Sequence, residues 1–252
     1  MTIAAVVVSH GHAAELERLL PELVPQVDET VVVANVPGSV GAVPDGVRVL
    51  DNPRPLGFAA NANLGIAATE AELVAIVNPD AVPEPGALAV LAHFLDAHPR
   101  AGAVGPQMRF PDGSWQPSRR RFPTVSGTIV RRTPLRLLLR PMERQTRHYH
   151  LDERPTEPVE TDWMLGGFLV LRRTMLDELG GFDPRFRMYG EDIDLCYRAA
   201  KAGWERWYVP DAVVTHAYDR ASDRRFLDRR TLWHWGGILR FVRKHPERLR
   251  AL

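Results

Sequence analysis

A chain of 252 residues, 45% hydrophobic and 25% charged, can bury a substantial core as one domain, or as one domain with an appendage. Its single cysteine, Cys196, excludes an internal disulfide framework and fits a reducing compartment, and no apolar run of about 18 residues is present to span a membrane. The net charge of +1 conceals two basic blocks: nine arginines against one acid between Arg119 and Arg147, and ten basic residues against four acids from Asp219 onward. Set on an acidic body, these blocks point to an anionic partner such as phosphate, nucleic acid or a membrane surface; a solvated arginine-rich surface is the plainer alternative.

The opening "MTIAAVVVSHGHAAEL" has no basic start and no small-residue cleavage site, so it reads as a first strand and the protein as cytoplasmic. Strand and helix signals then alternate: strand 2–9, helix 13–23, strands 30–35 and 46–52, helix 61–71, strand 72–78, helix 85–98, strand 101–106. This pattern predicts an α/β fold with a mostly parallel central sheet and helices on both faces. Ligands in such sheets sit beyond the carboxyl ends of the strands, which draws attention to Ser9, Gly11, Ala34, Asn35, Asn52, Asn78 and Asp80. From about 112 to 160 the chain turns Pro- and Arg-rich, with a hairpin signal at "FPDGSW" and a short amphipathic helix over 128–147 broken by Pro134 and Pro141. Order returns at "TDWMLGGFLVLRR", a strand containing a double glycine. A capping-box-like "TMLD" and a helix ending at "LGG" follow. An acidic helix, strands 205–210 and 212–216 and a helical segment over 232–245 close the chain.

Four stretches carry chemistry. In "IVNPDAVPEPGAL" an apolar strand delivers Asn78 and Asp80 at its end, where a carboxylate can hold a divalent metal against a diphosphate; a plain turn is the alternative. In "NPRPLGFAANANLGI", Asn61 and Asn63 near a helix start suit a nucleotide or its ribose, or else capping and close packing. Neither a dinucleotide fingerprint nor a P-loop is present. In "RMYGEDIDLCYRAAKAGW", Glu191, Asp192 and Asp194 follow Tyr189 and Gly190; acids in a first helical turn are favoured by the dipole, but one would suffice. Ile193, Cys196 and Tyr197 face inward on this helix, leaving Glu191 and Asp192 at an exposed mouth where a base can take a proton from a hydroxyl. In "AVVTHAYD", His216 ends an apolar strand, where its imidazole can complete a metal site with Asp80 or serve a structural purpose.

Together, "NPRPLGFAANANLG", "NPD" with "PGAL" downstream, "AVGP", "GGFDPRFRMYGEDIDLCYRAAKAGW" and "YVPDAVVTH" resemble the family-two inverting glycosyltransferases of GT-A fold, in particular the branch of bacterial rhamnosyltransferases. The resemblance runs in order from about Ile3 to His216. It implies transfer of a sugar from a nucleoside-diphosphate donor with inversion at the anomeric carbon, the donor diphosphate held by Mg2+ or Mn2+. Asp80 would be the acid of a variant DxD motif and His216 the histidine near the metal. Asp192 would be the general base and Glu191 an orienting partner. Trp163, Gly166, Gly167 and Tyr189 would lie on the acceptor side; Ser9, Asn35, Asn61, Asn63, Asn78 and Asp80 on the donor side.

The branch points to dTDP-rhamnose, ahead of other dTDP-, UDP- or GDP-sugars, and to a glycan or lipid-linked acceptor in cell-wall or polysaccharide synthesis. The expected organisation is one domain over 1–218, with a nucleotide-binding half (1–110) and an acceptor half (111–218), and a basic helical extension over 219–252. The basic segments and the Trp233/Trp235 stretch suit peripheral contact with the inner face of the membrane, and no nucleic-acid module is recognisable. Ala34 stands where the family usually has a base-reading acid. This keeps open a catalytically weakened nucleotide-sugar- or glycan-binding relative; a sugar nucleotidyltransferase, the other alternative, shares the sheet-plus-metal logic, but "SHGHAAE" offers no glycine- and Lys/Arg-rich phosphate loop.

Overall fold

The computed structural model describes residues 1–123, 153–217 and 229–249. The helix expected over 128–147, with most of the first basic block, lies outside them. Its first half runs β1 (Ile3–Ser9), α1 (Ala13–Leu23), β2 (Glu29–Ala34), β3 (Val47–Asp51), α2 (Phe58–Ala67), β4 (Leu73–Val77), β5 (Ala81–Pro83), α3 (Ala87–Ala97) and β6 (Ala101–Arg109). The short strands β7 (Trp115–Gln116), β8 (Arg119–Arg120), β9 (Val159–Glu160) and β10 (Trp163–Met164) follow. Then come β11 (Phe168–Arg172), α4 (Arg173–Leu179), α5 (Glu191–Lys201), β12 (Glu205–His216), α6 (Arg229–Lys244) and a 3-10 turn, Pro246–Leu249.

Ten of the strands form one sheet in the order β3-β2-β1-β4-β11-β6-β12-β5, with β7 on β6 and β9 on β12, and β8 and β10 pair in a separate two-stranded sheet. Pairings β3–β2, β2–β1, β1–β4 and β6–β12 are parallel. β1 and β4 are apolar and buried along their length because helices cover both faces of the sheet. On one face α1 and α3 contribute Leu16, Leu19, Leu20, Leu23, Leu88 and Leu91, all nearly inaccessible. On the other face α2, α4 and α5 contribute Ala62, Ile66, Met175, Leu176 and Leu195. Each such leucine contributes roughly 1.5–3 kcal/mol relative to an exposed one. α2 lies so close to the sheet that a methyl group at Gly65 would run into Val6.

Three local expectations change in the folded chain. "TDWMLGGFLVLRR" is two strands, β10 and β11, broken between Met164 and Phe168. β11 runs antiparallel between β4 and β6, so Phe168 faces Val77 and the double glycine arrives at the carboxyl end of β4. The strands expected at 205–210 and 212–216 are one strand, β12, whose register against β6 shifts between Val209 and Val213. Pro210 falls in that shift and has no N–H for the ladder, which accounts for the break. The capping box at "TMLD" does not form. α4 follows β11 without a gap, and Arg172 takes the cap position with no side-chain hydrogen bond. The hairpin at "FPDGSW" does form: the Phe110 N–H donates to the Ser114 carbonyl (2.8 Å), and Gly113 adopts φ +76°.

Candidate active site

The turn after β4 is fixed from three directions. The Asn78 N–H donates to the Gly167 carbonyl (2.8 Å), the Ala81 N–H to the Asn78 carbonyl (3.0 Å), and the Ala217 N–H to the Asp80 carbonyl (2.9 Å). Because β5 pairs with the end of β12, His216 stands opposite Ala81 and its Nε2 lies 3.4 Å from Asp80 Oδ1. His216 is buried and Asp80 partly exposed. Burial works to raise the Asp80 carboxyl, but hydrogen bonding to His216 and its charge outweigh this and hold Asp80 below its ordinary range.

The Nδ1 of His216 lies 3.1 Å from Gln116 Oε1. Since an amide oxygen only accepts, this contact assigns the Nδ1 proton and leaves Nε2 facing the Asp80 carboxylate, to which it donates when the ring is protonated and beside which it offers a lone pair when the ring is neutral. Two electron-rich atoms so placed are reconciled by a proton or a cation between them. The pair thus fits a divalent ion through one nitrogen and one oxygen, the remaining ligands coming from elsewhere. Among the described residues no third His, Cys, Asp or Glu joins them.

The second group of acids is built at the start of α5. Tyr189 takes φ +68°, a left-handed conformation that costs a non-glycine residue roughly 1–2 kcal/mol, and Gly190 follows at φ +95°. Asp192 Oδ2 accepts the Gly166 N–H (3.1 Å) and Oδ1 the Ile193 N–H (2.8 Å). Burial raises its carboxyl, and these hydrogen bonds and the charge of Arg120 offset only part of the rise. The exposed mouth expected for both acids is not found: Asp192 is half-buried, and Glu191 is buried with Oε2 lacking a hydrogen-bond partner. Burial first, and the charge of Asp192 second, push the Glu191 carboxyl up to about 8, so it keeps its proton at neutral pH. The third acid, Asp194, points the other way. It is fully buried against Arg198 (2.8 Å), Lys244 (2.8 Å) and His245 (2.9 Å) and serves the fold.

Gly166 and Gly167 join the two groups. A Cβ at Gly166 would lie 3.3 Å from the Asp192 Cβ; one at Gly167 would lie 3.2 Å from the His216 ring and 3.4 Å from Asn78 Nδ2. The Glu191–Asp192 pair and the Asp80–His216 pair therefore flank one two-glycine step. Trp163 lies across from Arg120 in the β10–β8 pair and donates its indole N–H to the Arg121 carbonyl (2.8 Å). Gln116 and Arg120 escaped the sequence reading. The hairpin signal gave the return of the chain, but two-residue strands carry no periodicity to say which side chain turns inward.

On the other side of the sheet's carboxyl edge lies an amide network. Asn35 Oδ1 accepts the Leu56 N–H (2.7 Å) and its Nδ2 donates to the Leu56 carbonyl (3.1 Å). Asn52 donates to the side chains of Asn35 and Asn61, and Asn61 donates to the Gly57 carbonyl (3.0 Å). Ser9 Oγ accepts the His12 N–H (3.3 Å). Asn63 stands apart from this network, with both ends of its amide on the backbone of Phe182. Tyr189 stacks on His234 of α6, ring centroids 3.5 Å apart. Ala34 is fully buried at the end of β2.

Comparison with known proteins fits this architecture. The family described as "Glycosyltransferase like family 2" matches residues 5–234. The chain is 33% identical over 249 residues to N-acetylglucosaminyl-diphospho-decaprenol L-rhamnosyltransferase of Mycobacterium tuberculosis, covering 88% of this chain and 78% of that one. It is 30% identical over 220 residues to the pre-mycofactocin glycosyltransferase of the same organism, covering 84% of this chain and 40% of that one. Among solved structures it is similar to GalNAc-T7 with UDP, GalNAc and Mn2+ (TM-score 0.63, 17% identity, 86% of this chain and 44% of that chain). It is also similar to the mannosyltransferase PcManGT from Pyrobaculum calidifontis with GDP-Man and Mn2+ (TM-score 0.56, 20% identity, 86% and 57%). These two likenesses bear on the fold alone. On sequence and architecture together, the chain belongs to glycosyltransferase family 2 and is a glycosyltransferase of GT-A fold.

Proposed function

We propose that this enzyme is an inverting, divalent-cation-dependent rhamnosyltransferase that moves L-rhamnose from dTDP-rhamnose to a hydroxyl of a lipid-linked glycan. The observation that carries the reading is the two-glycine step, with Asp192 on one side and Asp80 and His216 on the other. With no side chain at either glycine, the base and the cation pair both pack close against the same short stretch of backbone and so stand on either side of it. The name of the mycobacterial relative supports the sugar and the class of acceptor.

Asp80 and His216 would hold Mg2+ or Mn2+; when bound, the ion neutralises charge on the departing diphosphate. Ser9, Asn35, Asn61, Asn63 and Asn78 belong to the donor half, over 1–110, and Trp163, Gly166, Gly167 and Tyr189 to the acceptor half, over 111–218. Asp192 takes the proton of the acceptor hydroxyl as its oxygen bonds to the anomeric carbon. The bond from that carbon to the diphosphate breaks on the opposite face, and the nucleoside diphosphate leaves. A carboxylate whose basicity is raised by burial suits this task. Glu191 remains protonated beside it, so the pair carries one negative charge rather than two.

Residues 219–252 form the basic extension, and α6 contains five basic residues and no acid. Its described exposed residues include Trp233, Leu239, Arg240 and Arg243, a composition suited to peripheral contact with an anionic membrane face. No helix among the described residues is long and apolar enough to cross a membrane.

A thermal-shift panel of dTDP-, UDP- and GDP-sugars, with and without Mg2+ or Mn2+, tests the donor and the cation together. A ligand that binds only the folded state raises stability by mass action. Stabilisation by dTDP-rhamnose only with the cation, lost in Asp80→Ala, is the expected result. No shift with any donor under either cation would overturn the assignment and favour a binding relative that has lost turnover.

A further inference from the structure

The loop entering α5 is held from two sides. On the α2 side, the amide of Asn63 donates to the Phe182 carbonyl (2.7 Å) and accepts the Phe182 N–H (2.9 Å), and the Phe58 N–H donates to the Arg187 carbonyl (2.8 Å). Gly57 comes so near that a Cβ there would stand 2.8 Å from the Arg187 Cα.

On the other side lies α6. Its Gly237 abuts the Tyr189 backbone so closely that any side chain would collide with the Tyr189 carbonyl oxygen, and His234, one turn earlier, stacks on the Tyr189 ring at 17°. Tyr189 is the only described non-glycine residue with positive φ, and the two acids of the site begin two residues later. Further along α6, Phe241 is buried with Phe186 and Ile193. Lys244 bridges Asp183 (2.6 Å) and Asp194 (2.8 Å). The helix thus grips the loop, its strained residue and the first turn of α5 together.

We propose that α6 is a positioning element for the base: Gly237 and His234 hold Tyr189 in its left-handed conformation and so fix the direction in which Asp192 leaves the mouth of α5. A tyrosine relaxes from positive φ unless its surroundings forbid it. Relaxation at Tyr189 would swing Gly190 and the start of α5, and with it the 3.1 Å hydrogen bond between Gly166 and Asp192. The inference rests on the role given to Asp192 above, but the grip itself can be measured without turnover. The neighbouring Gly236 supplies an internal control, because a Cβ there meets nothing within 4 Å.

The experiment compares Gly237→Ala, Gly236→Ala, His234→Ala and His234→Phe by steady-state transfer kinetics and by hydrogen exchange of residues 183–192. Gly237→Ala is expected to lower kcat on the order of tenfold to a hundredfold with the donor KM nearly unchanged, and to raise exchange in 183–192. Gly236→Ala should leave both at wild-type levels. His234→Ala should lower kcat less severely, and His234→Phe, which keeps a stacking ring, should restore it. Wild-type kcat and wild-type exchange in Gly237→Ala would overturn the proposal, as would equal effects from Gly236→Ala. Should Gly237→Ala fail to fold, the His234 pair decides by the same two readouts. If the wild type transfers no sugar from any donor, the functional reading fails by itself; raised exchange confined to Gly237→Ala and His234→Ala would still support the grip.

Discussion

Replacing Glu191 with glutamine should stabilise the protein. The Glu191 carboxyl, ordinarily near 4.5, is pushed up to about 8 by burial and then by the charge of Asp192. Below 4.5 the folded and unfolded chains both hold the proton, and the group contributes nothing. Between 4.5 and about 8 the unfolded chain releases a proton that the folded chain keeps, so stability falls as pH rises. At about 1.4 kcal/mol per pH unit the full loss is about 5 kcal/mol, and about 3 kcal/mol is already lost at pH 7. The amide of Glu191→Gln cannot ionise and escapes this loss, although the amide atom taking the place of the unpartnered Oε2 gives back about 1 kcal/mol. The net gain at neutral pH is about 2 kcal/mol, which for a chain of this size raises Tm by roughly 4–8 °C. Scanning calorimetry of both proteins from pH 5 to 9 reads the difference in Tm, which should be near zero at pH 5 and widen steadily to about pH 8. A difference that stays constant across that range would refute the account of Glu191 as a buried, protonated acid.

Gly167→Ala pushes a methyl group to 3.2 Å from the His216 ring and should shift the imidazole by a few tenths of an ångström, lowering cation-dependent donor binding on the order of tenfold in a titration with Mn2+. Asp194→Ala leaves Arg198 without its buried counter-charge and Lys244 with Asp183 alone. The expected loss is about 3–5 kcal/mol, read as a lower urea midpoint. Asn63→Ala removes both hydrogen bonds to Phe182 and should lower stability by about 2 kcal/mol in the same assay.

Much of the frame was legible in the sequence because it depends on short-range pattern. The unbroken apolar runs of β1 and β4 announce strands covered on both faces, and the turn chemistry of "FPDGSW" announces the β6–β7 hairpin. The acids at 80 and at 191–192 were visible as polar residues where apolar periodicity stops. Tertiary structure decided which of those residues meet. Insertion of β11 between β4 and β6 brings Gly166 and Gly167 from some ninety residues away to the end of β4, turning an apparent mid-strand double glycine into the junction of two side-chain groups. Only the fold separates Asp194, bound to Lys244 and His245 some fifty residues on, from Asp192 two positions before it. Burial of Glu191, the Gln116 contact to His216 and the docking of Gly237 on Tyr189 likewise depend on partners distant in sequence. Hydrophobic period and turn propensity are properties of neighbours along the chain; desolvation, ion pairing and close backbone approach are properties of neighbours in space, and the chemistry of this site rests on the second kind.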